Sequence, residues 1–145
     1  PIRRRWSAGD RIGLQMAMTP QVLEANPRVA DDTGRVAVQR GPLIYCLEEL
    51  DQPSGVMLSD VALQVGKRPD TEFQTEMKND LLGGVLLLRH TGLSYDRNEA
   101  PNALYSRYTG ATERTRRIPL TFIPYYAWAN RQPTSMQVWN QVVRS

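Results

Sequence analysis

Proline recurs along the whole chain, and its spacing limits which secondary structures the sequence can form. Beyond Pro1, prolines stand at positions 20, 27, 42, 53, 69, 101, 119, 124 and 133. A proline inside a helix removes a backbone hydrogen bond and clashes with the preceding turn. The sequence therefore predicts little or no helix, and residues 21–25 are expected to form one helical turn at most.

Between the prolines, apolar and polar residues alternate with a period of two. The alternating segments are 12–18, 36–38, 61–65 and 118–122. Such alternation is typical of half-buried strands. The apolar runs at 43–47 and 85–88 and a last segment beginning at Met136 predict further strands. Six side chains are expected in the core: Val36, Val38, Leu43, Tyr45, Leu120 and Phe122.

Many short strands separated by turn signals predict an all-β chain. The expected architecture is an antiparallel β-sandwich of the jelly-roll kind. The polar stretch 91–103 is expected to form a long surface loop. A join between two sheets is expected near residues 26–34, where proline, aspartates and glycine interrupt the alternation.

Composition excludes several classes of protein. The net charge of +3 is too weak to indicate a nucleic-acid partner, and no apolar run is long enough to cross a membrane. One cysteine and one histidine cannot close a zinc site built from those residue types. From Pro1 onward no charged and then apolar segment is visible, so no signal peptide is expected, and localisation is left open.

No pair of side chains in the sequence predicts catalysis. Glu48 and Glu49 are adjacent, so in a strand they point to opposite faces and cannot flank one glycosidic bond. Cys46 stands in an apolar strand, where a free cysteine usually behaves as a small buried hydrophobe. A nucleophile would need a base, for which His90 is the one histidine available.

The aromatic cluster Tyr125, Tyr126 and Trp128 is the most suggestive feature of the sequence. Aromatic rings on a β domain can stack against sugar rings, and these three residues are candidate sugar contacts. The other interpretation is that they fill the core and the domain interface. The core interpretation is preferred, because residues 118–139 form the most apolar stretch, and Trp128 is expected to be mostly buried.

Two segments are specific enough to point to a family. The first is GRVAVQRGPLIYCLE at 34–48, and the second is IPYYAWANR at 123–131, followed by SMQVW at 135–139. A weaker match is Trp6 with the Gly-Asp pair at 9–10. In order and spacing, these segments resemble the C-terminal portion of the β-L-arabinofuranosidase family, glycoside hydrolase family 127.

The resemblance implies a longer parent polypeptide, a glycoside hydrolase in which a catalytic (α/α)6 barrel precedes two β-sandwich domains. It implies that residues 1–34 are the end of the first sandwich or linking strands, and that 35–145 form the C-terminal sandwich domain. The family's zinc, cysteine nucleophile and glutamate acid/base lie in the barrel. This chain is therefore expected to be a non-catalytic, structural region without a cofactor of its own.

The expected partner is the catalytic barrel of the parent polypeptide. The family's dimers imply a homodimer as a further candidate assembly. No nucleic-acid or membrane partner is expected. A carbohydrate-binding module that uses the exposed aromatic residues is the alternative function, and the sugar and linkage of the parent are left open.

Overall fold

Short strands dominate the computed structural model of the chain, which describes residues 3–68, 70, 72–95, 104–105, 107 and 115–144. The strands are β1 Pro20–Glu24, β2 Arg35–Arg40, β3 Leu43–Glu48, β4 Val61–Val65, β5 Gln74–Lys78, β6 Val85–Tyr95, β7 Thr115–Pro124, β8 Met136–Gln137 and β9 Asn140–Arg144. Single 3₁₀ turns lie at Ala30–Asp32, Glu49–Asp51, Leu58–Asp60 and Tyr125–Ala127. The described residues contain no α-helix, as the proline spacing predicts.

Six of these strands form a closed ring in the order β2-β9-β4-β6-β7-β3, and β3 returns to β2. The pairing of β4 with β9 is parallel, and the other pairings are antiparallel. The ring closes because one edge of β2 is shared: residues 35–36 pair with β9, and residues 38–40 pair with β3. Strands β1, β5 and β8 extend the sheet outside the ring.

The barrel wall carries apolar residues on both faces. The inner cluster includes Val38, Tyr45, Leu88 and Phe122, all inaccessible to solvent. The outer cluster is built by the alternate residues of the same strands and by the segments that cover them: Cys46, Leu81, Val85, Leu87, Ile123 and Ala127. Because successive side chains in a strand face opposite sides, a strand buried on both faces has a continuous apolar run. The apolar run at 43–47 has this cause.

Most of the predicted strands and core positions are confirmed. The segments 36–38, 43–47, 61–65, 85–88 and 118–122 all lie in strands. Five of the six predicted core residues are buried, namely Val36, Val38, Tyr45, Leu120 and Phe122. Leu43 is only partly buried, because it packs at the edge of the inner cluster.

The all-β class is confirmed, but a two-sheet sandwich is not. Alternation with period two describes one buried face per strand, and that pattern is the same in a sandwich and in a barrel. The difference lies in how β2 divides its edge between β3 and β9, which the pattern does not report. The division of the chain at residue 34 stays a prediction.

Three local predictions are wrong. Residues 12–18 form no strand, since no neighbouring strand within the described residues pairs with them. Residues 21–24 of the predicted helical turn at 21–25 belong to β1 instead, because pairing with β2 holds them extended. Part of the predicted loop at 91–103 is strand, because β6 continues to Tyr95 in register with β7, and residues 96–103 lie outside the described ranges.

Candidate functional site

The three aromatic residues singled out in the sequence lie together on one surface loop, residues 125–131, called the aromatic loop below. Strand β7 ends at Pro124, and a 3₁₀ turn over Tyr125–Ala127 follows it. Ala127 points inward and is completely buried in the outer cluster. The small side chain at 127 therefore fixes the loop to the barrel wall.

The rings of the aromatic loop lie on the surface of the protein. Tyr125 is 48% exposed, Tyr126 is 55% exposed and Trp128 is 36% exposed. The expectation of a core position for Trp128 is wrong, because these residues form a 3₁₀ turn and not a strand. The Tyr125 and Trp128 rings have centroids 6.2 Å apart and planes inclined by 36°.

Hydrogen bonds within the loop and to its flank fix its backbone. The Trp128 indole N–H donates to the carbonyl of Thr134 over 3.0 Å. The Asn130 side-chain amide donates to the carbonyls of Tyr126 and Trp128, at 3.1 Å and 3.2 Å. Ala129 has φ = +57°, a left-handed conformation that is uncommon for residues other than glycine. The loop therefore has one defined conformation.

A partly buried ionic cluster stands behind the loop and connects it to β3. Glu48 at the end of β3 has no exposed surface, and one of its carboxylate oxygens accepts the backbone N–H of Ala129 at 3.1 Å. The Arg131 guanidinium contacts the other oxygen of Glu48. It also donates through Nη1 to Asp51, at 2.7 Å, and through Nη2 to the second oxygen of the same carboxylate. These bonds to Asp51 and Glu48 raise the pKa of Arg131, so the guanidinium keeps its charge.

This arrangement is what sequence reasoning missed. Strand alternation presents Glu48 only as half of an adjacent acid pair and does not connect it to Arg131. Both residues stand in the family-like segments 34–48 and 123–131, but residue type alone does not pair them, because the first segment also contains two arginines. The structure places the two side chains in contact at the base of the loop.

Cys46 and His90 are not brought together. Cys46 lies in the outer cluster, while His90 shares its face of β6 with Leu88 of the inner cluster and stacks on Phe73, with ring centroids 4.6 Å apart. Burial, and then the negative charges of Glu48 and Asp51, raise the pKa of the Cys46 thiol to about 12. The thiol therefore stays protonated at neutral pH, as expected of a buried hydrophobe.

A groove at β5 and β6 is lined by Glu72, Glu76, Arg89 and His90 among others. The His90 Nε2 lies 3.4 Å from Glu72, and the Arg89 side chain donates to Glu76 over 2.7 Å. That hydrogen bond lowers the pKa of Glu76. The charged groups of the groove are paired with one another, so the groove presents no convergent set of free ligands.

The described ranges bring together no group of three or more histidine, cysteine, aspartate or glutamate side chains that could hold a metal ion. The same ranges contain no helix with the length and apolarity of a membrane crossing. Whether the whole chain lacks a cofactor stays a prediction.

Comparison with known proteins decides the family. The model of the glycoside hydrolase family 127 C-terminal domain matches residues 20–141. The chain belongs to this family. Both family-like segments lie within the match, which begins at the first residue of β1.

Relatives of the glycoside hydrolase family 127 domain are much longer than this chain. A non-reducing end β-L-arabinofuranosidase from Bifidobacterium longum subsp. longum is 37% identical over 142 residues, which is 93% of this chain and 20% of the relative. The chain thus spans about a fifth of this enzyme. The enzyme's activity belongs to a polypeptide of which this domain is a small part.

Solved structures give the same picture. A family 127 β-L-arabinofuranosidase from Geobacillus stearothermophilus T6 matches with a TM-score of 0.72 and 34% identity, over 88% of this chain and 18% of that one. A family 127 β-arabinofuranosidase matches with a TM-score of 0.66 and 32% identity, over 87% of this chain and 17% of that one. The barrel described above is therefore similar to a C-terminal part of much larger enzymes.

Proposed function

We propose that this chain is a non-catalytic, structural domain of a β-L-arabinofuranosidase-like glycoside hydrolase, and that it packs against the catalytic part of the same polypeptide. The match to a C-terminal domain and the small share of the relatives that it covers support this proposal. In the parent, residues 1–34 are the end of the preceding domain or linking strands, of which β1 pairs with β2 of this domain. The zinc-dependent chemistry implied by the family resemblance takes place in the catalytic barrel and not in this domain.

The proposal rests on the surroundings of the two carboxylates in the ionic cluster, Glu48 and Asp51. Most glycoside hydrolases use two carboxyl groups that face an open space admitting the sugar, and the family resemblance implies a cysteine nucleophile with a glutamate acid/base. Glu48 and Asp51 instead share one arginine, and Glu48 is sealed from solvent. Both carboxylates contact Arg131 and fix the loop, and they do not face an open space as a pair because Glu48 is completely buried.

An activity and metal assay tests the proposal. The 145-residue chain and the complete polypeptide that carries it are compared at equal molar concentration on a chromogenic β-L-arabinofuranoside, and zinc is measured by plasma mass spectrometry. We expect turnover from the complete polypeptide only, and no stoichiometric zinc in the 145-residue chain. Turnover by this chain above a buffer blank, or one tightly held zinc ion per chain, would contradict the proposal.

The second candidate function is carbohydrate binding, and the surface position of Tyr125, Tyr126 and Trp128 favours it. Soluble arabinan fragments titrated against tryptophan fluorescence test it. Binding requires a saturable change that Trp128→Ala abolishes while the variant keeps its fold. The structural proposal predicts no saturable change at millimolar sugar.

A further inference from the structure

The aromatic loop combines features that mark interaction surfaces. Three large rings are exposed within four consecutive residues, Tyr125, Tyr126 and Trp128. Tyrosine, tryptophan and arginine are the residues that most often dominate the binding energy of protein interfaces. Exposed aromatic residues that cluster indicate a surface that another molecule covers.

The way the loop is held indicates that its surface shape matters. A buried charge costs free energy unless it is well paired, and a left-handed alanine is strained. Here Glu48 is completely buried and bonds the backbone N–H of Ala129, which has φ = +57°. A strained conformation of this kind is retained only where the surrounding contacts hold it in place. A loop that is already fixed before binding loses less conformational entropy when it binds.

Three polar side chains of the loop already bond within this domain, so few donors besides the two tyrosine hydroxyls face the hydroxyls of a sugar. The Trp128 indole N–H, the Asn130 amide and the Arg131 guanidinium all bond within this domain. The Tyr125 and Trp128 planes are inclined by 36°, so they do not form one flat platform for successive sugar rings. The loop therefore presents ring surface, which fits an apolar, uncharged protein surface better than a glycan.

The family match indicates where such a surface lies. The chain corresponds to about a fifth of the Bifidobacterium relative and to the C-terminal domain of the family, so most of such a polypeptide lies outside it. We infer that the aromatic loop is the surface through which this domain docks onto the remainder of its own polypeptide. This inference rests on the proposed packing role and assigns that role to particular residues.

Site-specific photo-cross-linking in the complete polypeptide tests the inference. Benzoylphenylalanine replaces Tyr126, a conservative change of one exposed aromatic ring for another. The matched control places it at Met77 on β5, whose exposure of 56% equals that of Tyr126 within one per cent. A third position, Leu14, is 82% exposed in the segment ahead of β1 and reports on packing elsewhere in the domain.

We expect position 126 to cross-link, well above position 77, to peptides of the same polypeptide outside residues 1–145. The yield should not change on dilution or on addition of arabino-oligosaccharides. The inference would be overturned if position 126 gave no higher cross-linking yield than position 77. It would also be overturned if position 126 cross-linked only to a second copy of the polypeptide, or if the sugar suppressed the yield. If position 14 cross-links outside the domain while position 126 does not, only the loop assignment fails. If neither does, the packing role fails as well.

Discussion

Glu48 determines the conformation of a loop that lies more than seventy residues later in the chain. Its carboxylate accepts the backbone N–H of Ala129 and pairs with the side chain of Arg131. The Glu48 side chain has no solvent-exposed surface. Removing one partner of a buried ion pair leaves the other charge uncompensated. Glu49 next to it is exposed and makes no comparable contact with the loop. The two neighbouring glutamates therefore form a natural test and control.

Glu48→Gln is expected to lower the free energy of unfolding by roughly 1–3 kcal/mol, because the Ala129 N–H and Arg131 lose the charge of a completely buried acceptor, while Asp51 still pairs with Arg131. Glu49→Gln should change it little. Chemical denaturation followed by circular dichroism measures both variants. Equal effects of the two substitutions would show that the ionic cluster does not stabilise the domain.

At the scale of elements, the close pairing of β6 with both β4 and β7 depends on a glycine. Gly92 lies in β6 between its pairing partners Leu63 of β4 and Ile118 of β7. A Cβ atom at position 92 would stand 2.8 Å from the carbonyl oxygen of Ala62 and 2.4 Å from a methyl carbon of Leu120. Backbone cannot move aside as a side chain can, so the wall of the barrel tolerates only glycine here.

Gly92→Ala is therefore expected to destabilise the domain by roughly 1–3 kcal/mol, the usual effect of overpacking. Gly13→Ala is the control, because a Cβ atom there would meet nothing within 4 Å. Thermal unfolding of the two variants compares them directly. If Gly92→Ala unfolds at the same temperature as Gly13→Ala, the strands of the barrel are packed less closely than described.

The elements also show what the sequence can and cannot predict. The alternation at 36–38 and 118–122 is produced by burial of one face, so those strands could be predicted. The same alternation at 12–18 predicts a strand that is absent, because a strand also needs a neighbour to bond its backbone. The sequence does not predict β5, because its residues are mostly exposed and polar and show no apolar alternation. Pairing with β6 keeps them extended.

The candidate site could be predicted in part. The residue types at 125, 126 and 128 indicate the right segment, but the local sequence does not predict that β7 ends at Pro124. The turn that brings the rings to the surface depends on Glu48 and Arg131, which lie 83 positions apart. A contact between residues so far apart in the sequence depends on how the closed sheet brings the strands together. The local alternation of apolar and polar residues does not predict it.

At the scale of the whole molecule, the described residues include apolar surfaces that the barrel leaves uncovered. One is the aromatic loop. Another is the segment ahead of β1, where Ile12, Leu14 and Met16 alternate and all are more than half exposed. Apolar side chains in this pattern fit the edge of a sheet, which would also bond the unpaired backbone. Both surfaces are consistent with a domain that packs on a larger polypeptide.

Hydrogen–deuterium exchange tests this account most directly, because it reports on both surfaces in one experiment. Exchange is measured for residues 11–18 and 125–131 in the 145-residue chain and in the complete polypeptide, with strands β3, β6 and β7 as internal reference. The account predicts slower exchange of both segments in the complete polypeptide and unchanged exchange in the reference strands. Equal exchange of both segments in the two proteins would contradict the packing role.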